Sequence, residues 1–263
     1  MARRVLILGG TGFVGSEICR RAEAAGWECV LLSRRGGSGG AAKQTHVAGD
    51  ATQPGVVEAV VKEHGPFSAA VHCIGALLDG SSGLRYANLV VSASRSLPMA
   101  GQSYVDITEN TALALLRASG GSGGTLMPFV FVSAAEAGWA DEDAMMWGGA
   151  TIERWSPRWL KRYLSSKRTV EAALLNSTGV RPVILRPSFV WNWCKLDVLP
   201  LVALFTLLNA LGVPFIDRPV RVETIAAAAV TAIDSSSEAS GVLRHIEMNQ
   251  LADSSCVKAA KAP

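Results

Sequence analysis

Tyr163 and Lys167, in the run Tyr163-Leu164-Ser165-Ser166-Lys167, stand four residues apart, a spacing that sets two side chains on one face of a helix. An ammonium beside a phenol favours the phenolate and lowers the tyrosine pKa from its reference of about 10. The pair therefore suits Tyr163 as a general acid or base. A second group lies near the start of the chain, in Gly9-Gly10-Thr11-Gly12-Phe13-Val14-Gly15. Glycines at 9, 12 and 15 let the chain turn tightly, bring backbone N–H groups close to a pyrophosphate and pack the following helix on its strand. A phosphate at that helix N-terminus gains about 0.3–1 kcal/mol from the macrodipole, in addition to direct hydrogen bonds.

A third group sets the nucleotide preference. Where a carboxylate would bind a ribose 2′-hydroxyl, the chain has Ser33-Arg34-Arg35. A guanidinium pairs with a 2′-phosphate through two hydrogen bonds, whereas an acid repels it. NADP(H) is therefore expected over NAD(H), with Asp50 placed to accept from the adenine amino group.

These residues need elements to hold them. Arg4 to Leu8 is a short apolar run, followed by the glycine turn and a helical pattern from Ser16 to Ala25, which reads as strand, turn, helix. Trp27 to Ser33 is a second strand, followed by a Gly/Ser-rich loop from Gly36 to Gly40. A third run ends at Gly49-Asp50, a helix follows Pro54, and Phe67 to His72 is another strand. Helical period returns from Tyr104 to Ser119, before a glycine-rich break at Gly120 to Gly124. Phe129 to Ser133 is a strand, Leu160 to Asn176 a helix, and Pro182 to Arg186 a strand stopped by Pro187. Strands alternating with helices predict an α/β fold with a doubly wound parallel sheet. The organisation expected is a nucleotide-binding Rossmann domain over 1–190, a small cap lobe over 191–252 interleaved with the last Rossmann elements, and a polar tail over 253–263.

Composition excludes several classes. The formal charge of +3 is small and the basic residues are spread along the chain, so no nucleic-acid footprint is read. Cys19, Cys29, Cys73, Cys194 and Cys256 form no C-x-x-C pair and no metal-spaced cluster, which fits reduced, packed thiols. The first strand begins too close to Met1 for a cleavable leader in the chain as written. The apolar stretch Leu199 to Ile216 is near bilayer-spanning length, but Pro200, Asn209, Gly212 and Pro214 interrupt it. A buried lobe helix and a greasy exposed surface remain open, and no spanning helix is expected. Six of the seven tryptophans lie between the Phe129 strand and the cap, where packing, a partner or membrane contact and a hydrophobic substrate mouth are all open. Asp141-Glu142-Asp143 reads as a solvated loop.

With these residues in place, the chain resembles the extended and atypical short-chain dehydrogenases/reductases over nearly its whole length. Beyond the glycine turn and Tyr163/Lys167, Val71-His72-Cys73-Ile74-Gly75 is similar to the segment of that family that passes under the cofactor. Leu185-Arg186-Pro187-Ser188 resembles its Arg-Pro after the sixth strand, and Val220 to Ala226 its Val-x-Val-Asp-Asp-Val-Ala segment. The resemblance implies cofactor contacts from Gly9, Thr11, Gly12, Phe13, Val14, Gly15, Ser33, Arg34, Arg35, Asp50, His72, Ile74, Ser133, Tyr163, Lys167 and Pro187. It also implies catalytic roles for Tyr163 and Lys167, the latter able to bond the nicotinamide ribose.

Val71 to Asp79 and Tyr163 to Arg168 look most like two mitochondrial branches, the accessory Rossmann subunit of respiratory complex I and the coenzyme Q-associated fungal protein with its plant and algal relatives. That implies protein partners in a membrane-associated complex on the matrix side of the inner membrane, with plastid or cytoplasm as alternatives, and NADPH binding without turnover. Two departures bear on catalysis. The family's catalytic Ser/Thr aligns with Ala135, Ser133 being two residues too early, and its helical Asn aligns with Thr108. Losing one oxyanion donor costs about a hundred- to a thousandfold in rate. A non-catalytic NADP(H)-binding subunit and an NADPH-dependent reductase of a hydrophobic carbonyl or quinone precursor are the two functions expected.

Overall fold

The computed structural model describes residues 3–37, 43–88, 97–119, 126–140, 149–194, 199–213, 216–234 and 239–260. Part of the first Gly/Ser loop, the Gly120 to Gly124 break, Asp141 to Asp143, Trp147 and Pro214 lie outside them.

Among the described residues nine strands follow in order: β1 (Arg4–Leu8), β2 (Glu28–Ser33), β3 (Gln44–Ala48), β4 (Ala69–His72), β5 (Met127–Val132), β6 (Val180–Leu185), β7 (Val190–Trp191), β8 (Val220–Arg221) and β9 (Gly241–Leu243). The helices are α1 (Phe13–Ala24), α2 (Val56–His64), α3 (Thr111–Ser119), α4 (Gly149–Trp155), α5 (Arg158–Leu175), α6 (Leu199–Ala210), α7 (Val222–Ile233) and α8 (His245–Ala260). A wide turn of the π type, Val105–Asn110, leads into α3. Seven strands make one parallel sheet in the order β3-β2-β1-β4-β5-β6-β9, and β7 pairs with β8 apart from it.

The expected doubly wound sheet is therefore present. Parallel strands covered on both faces read as continuous apolar runs, and Val5 to Leu8 are all fully buried. Along β1 the side chains alternate between two cores. Val5 and Ile7 meet Ile18 of α1, Ile225 of α7 and Met248 of α8, while Leu6 and Leu8 meet Val57 of α2, Leu115 of α3 and Val170 of α5. Helix α7 carries a run of alanines and is buried at nine positions, because small side chains let it settle between α1, α8 and the sheet. The strand order reverses between β1 and β4, the place where open α/β sheets bind ligands beyond their carboxyl ends.

The structure changes one expectation. The stretch from Leu199 forms α6 with no buried residue, so a buried lobe helix is not what it is. Helix α8 runs to Ala260 and so takes in residues 253–260 of the expected polar tail.

Candidate functional site

The turn after β1 is held by the Gly9 amide donating to the Leu32 carbonyl at 3.1 Å and the Gly12 amide donating to the Gly9 carbonyl at 2.9 Å. Gly9 has φ +81°, which strains any residue with a Cβ, and a Cβ there would come within 3.1 Å of the Cys73 carbonyl carbon. Gly15 is dictated by space: its Cβ would lie 2.3 Å from the Gly9 oxygen. Gly12 caps α1 with no side-chain bond, and a helix start after such a glycine turn suits an anion.

A cavity of about 610 Å³ opens from this turn, within the roughly 300–1,000 Å³ usual for ligand sites. Gly9, Thr11, Gly12 and Phe13 form one end, Ser33, Arg34, Arg35 and Asp50 the far end, and Cys73, Ile74 and Gly75 the floor after β4. The Asp50 Oδ1 accepts from the Thr52 amide (3.0 Å) and hydroxyl (2.8 Å), and Gln102 Nε2 donates to the same hydroxyl at 3.0 Å. Arg34 donates to the Leu97 carbonyl at 2.9 Å. Residues 97–102 are thereby strapped across the cavity from both sides. Arg35 is exposed and has no ion pair or hydrogen-bond partner among the described residues. These residues fit a dinucleotide, with the glycine turn as a cradle for its pyrophosphate.

The other expected contacts do not line this cavity. Val14 packs against the core and Gly15 is buried beneath the turn. Pro187 lends its carbonyl to the Ala135 amide at 2.9 Å. His72 is fully buried under the floor. Its Nε2 lies 2.8 Å from the Thr111 Oγ1, whose own proton goes to the Ile107 carbonyl at 2.7 Å. The imidazole therefore donates through Nε2, and its Nδ1 has no partner among the described residues. Burial, with the nearby charge of Lys167, pushes its pKa down to about 3, which keeps it neutral.

Tyr163 and Lys167 do share a face of α5, but the electrostatics differ from the expectation. The Lys167 Nζ donates to the Val132 carbonyl at 2.8 Å and stands 5.7 Å from the Tyr163 ring centre. Burial lowers its pKa to about 8, against the opposing pull of Glu171. Burial, then Glu136 and Tyr104, push the Tyr163 phenol upward, out of its ordinary range. The expected lowering by Lys167 is thus not found: desolvation dominates, joined by a carboxylate that spacing did not reveal. A Cβ placed on Gly75 would stand 3.5 Å from the Lys167 Nζ, so the ammonium reaches the cavity floor from below.

Ala135 opens the tight turn Ala135–Ala140 after β5 and is buried. Ser133, also buried, has a hydroxyl without a partner among the described residues, as does Thr108 in the π-type turn. Arg168 pins the tight turn by donating to the Ala137 carbonyl at 2.8 Å while pairing with Glu153 at 2.6 Å. The sequence reading missed Glu136, whose carboxyl is pushed up by burial and Asp217, and Gln102, Asn192 and Cys194, which close the cavity from the strap and the cap. Only the fold brings those segments to the glycine turn.

The family described as NAD dependent epimerase/dehydratase matches residues 5–191. Among solved structures the chain is similar to the UDP-glucose 4-epimerase of Thermus thermophilus in complex with NAD, at 23% identity and TM-score 0.57 over 99% of this chain and 84% of that one. It is also similar to the enzyme WbmF of Bordetella bronchiseptica in complex with NAD+, at 15% identity and TM-score 0.56 over 99% and 79%. A glucuronic acid dehydrogenase of Chromohalobacter salexigens matches at 14% identity and TM-score 0.58 over 93% and 76%. At such identities the likeness speaks for the fold.

Proposed function

This chain belongs to the NAD dependent epimerase/dehydratase family, and from that premise we propose that it holds NADP(H) with little or no turnover, as an accessory subunit of a mitochondrial membrane assembly of the complex I or coenzyme Q type. The observation that carries the reading is a contrast within one site. The cavity has its glycine turn and both arginines, while Ala135 stands where the family places a hydroxyl and the Tyr163 phenol is held neutral. The branch and its mitochondrial address rest on the resemblance of Val71 to Asp79 and Tyr163 to Arg168.

In this reading Gly12 and the start of α1 receive the pyrophosphate, and Arg35, which is not engaged elsewhere, pairs with the 2′-phosphate. Arg34 holds the 97–102 strap. Bound nicotinamide would supply or accept a hydride. Lys167 needs no proton transfer to serve, since an ammonium beneath Gly75 can orient a ribose.

The second reading, a reductase of a hydrophobic carbonyl or quinone precursor, is favoured by the same Lys167–Tyr163 placement. A phenol kept neutral can donate a proton from Oη, though it cannot accept one near neutral pH.

Titration of NADPH and NADH against wild type and Arg35→Ala tests binding. NADPH should bind more tightly, and the substitution should weaken it about ten- to a hundredfold while leaving NADH little changed. Single-turnover absorbance with short-chain quinones then separates the readings. Cofactor oxidation that Tyr163→Phe abolishes selects the reductase, and failure to bind either nucleotide overturns both.

A further inference from the structure

Helix α6 carries no charged residue, and none of its side chains is buried. Its inner side is fixed by Phe205, whose ring lies 5.9 Å from that of Phe189, and by Asn209, which donates to the Ile216 carbonyl at 2.8 Å. Leu201, Leu204, Leu207 and Leu211 face away, at 43%, 47%, 56% and 70% exposure. Their spacing of three, three and four residues makes one stripe. A contiguous apolar stripe left in water marks an interaction surface, so this stripe calls for a cover.

What covers it is indicated by a second feature. Arg154-Trp155-Ser156-Pro157-Arg158-Trp159-Leu160-Lys161-Arg162 joins α4 to α5. Trp155 is 84% exposed, and Trp193, on the approach to α6, 61%. Arg154, Arg158 and Arg162 are exposed and have no carboxylate within ion-pair distance among the described residues. Arg158 and Arg162, four apart on one helix, repel each other until an anion arrives. Both features lie at the same end of the sheet. Lys167, further along α5, bonds the carbonyl of Val132 at the carboxyl end of β5, so Arg154 to Arg162 lie beyond that end, and Phe189 beneath α6 follows the carboxyl end of β6.

We propose that this end of the molecule docks on an anionic lipid bilayer, with α6 lying in the interface. Twelve helical residues reach about 18 Å, short of the roughly 30 Å of hydrocarbon, and no helix among the described residues is long and apolar enough to cross. The leucine stripe enters the acyl boundary, Trp155 and Trp193 sit at headgroup depth, and the arginines meet anionic headgroups. A polyphosphate chain would satisfy the cations but has no use for the leucines. A second copy docked about a two-fold axis would bring the same arginines against one another. None of these residues lines the nucleotide cavity, so the proposal stands or falls separately from the nucleotide reading.

Flotation of the full chain with phosphatidylcholine vesicles, with and without added phosphatidylglycerol, tests it, with the shift of tryptophan emission as a second readout. Wild type should float with the anionic vesicles and show a blue shift. Arg154→Gln and Arg158→Gln should each weaken binding about fivefold, and Leu204→Glu with Leu207→Glu should abolish it while NADPH binding persists. The exposed arginine pair keeps the test valid should the glutamates disturb α6. The proposal is overturned if wild type does not float, if the arginine variants bind unchanged, or if the leucine variant only converts a dimer to a monomer.

Discussion

The two ends of the candidate site have different characters. Around β1 to β3, every feature a nucleotide needs is present and close together: a turn that only glycines can form, a helix start without a side-chain cap, and two arginines at the far end of one cavity. Around β4 to β6, the parts needed for proton transfer are separated or altered. Ala135 has no hydroxyl, Tyr163 is desolvated and acted on by Glu136, and the Lys167 ammonium donates to a backbone carbonyl. Binding needs only shape and fixed donors. Chemistry also needs a group whose pKa lies near the working pH, and burial moves Tyr163 the wrong way.

Restoring the missing hydroxyl is the strongest way to break that contrast. If the weak end lacks only its donor, Ala135→Ser should raise the single-turnover rate with a quinone or carbonyl probe by about a hundred- to a thousandfold, read as loss of NADPH absorbance. An unchanged rate would mean that the electrostatics of Tyr163 are limiting instead. At the strong end, Gly15→Ala forces a Cβ to within 2.3 Å of the Gly9 oxygen. It should cost about 1–3 kcal/mol in urea unfolding and weaken NADPH at least about tenfold.

A third effect, spread over pH, concerns the floor shared by both ends. His72 has a folded pKa near 3 against an ordinary 6.5, so the unfolded chain binds the extra proton between those values. Its contribution is complete above pH 6.5 and is lost as pH falls toward 3, by about 1.4 kcal/mol per pH unit. Unfolding free energies across that range should show a shallower slope for His72→Met than for wild type.

The sequence alone determined the parts that depend on neighbours along the chain. Arg4 to Leu8 is the first strand as read, the glycine turn follows from close backbone approach, and the alternation of apolar runs with helical periods predicts the doubly wound sheet. Tyr163 and Lys167 on one helical face were legible for the same reason: a spacing of four is a local property. What the sequence could not fix depended on distant segments meeting. Gln102 reaches Thr52 across fifty positions, Glu136 acts on Tyr163 from another element, and Asn192 closes a cavity that begins at Gly9.

The apolar run from Leu199 shows the same division. Its composition predicts a helix but is silent on which side meets protein. Only packing decided that Phe205 turns inward onto Phe189 while four leucines remain in solvent, because burial is a property of the whole chain's arrangement and not of any window along it.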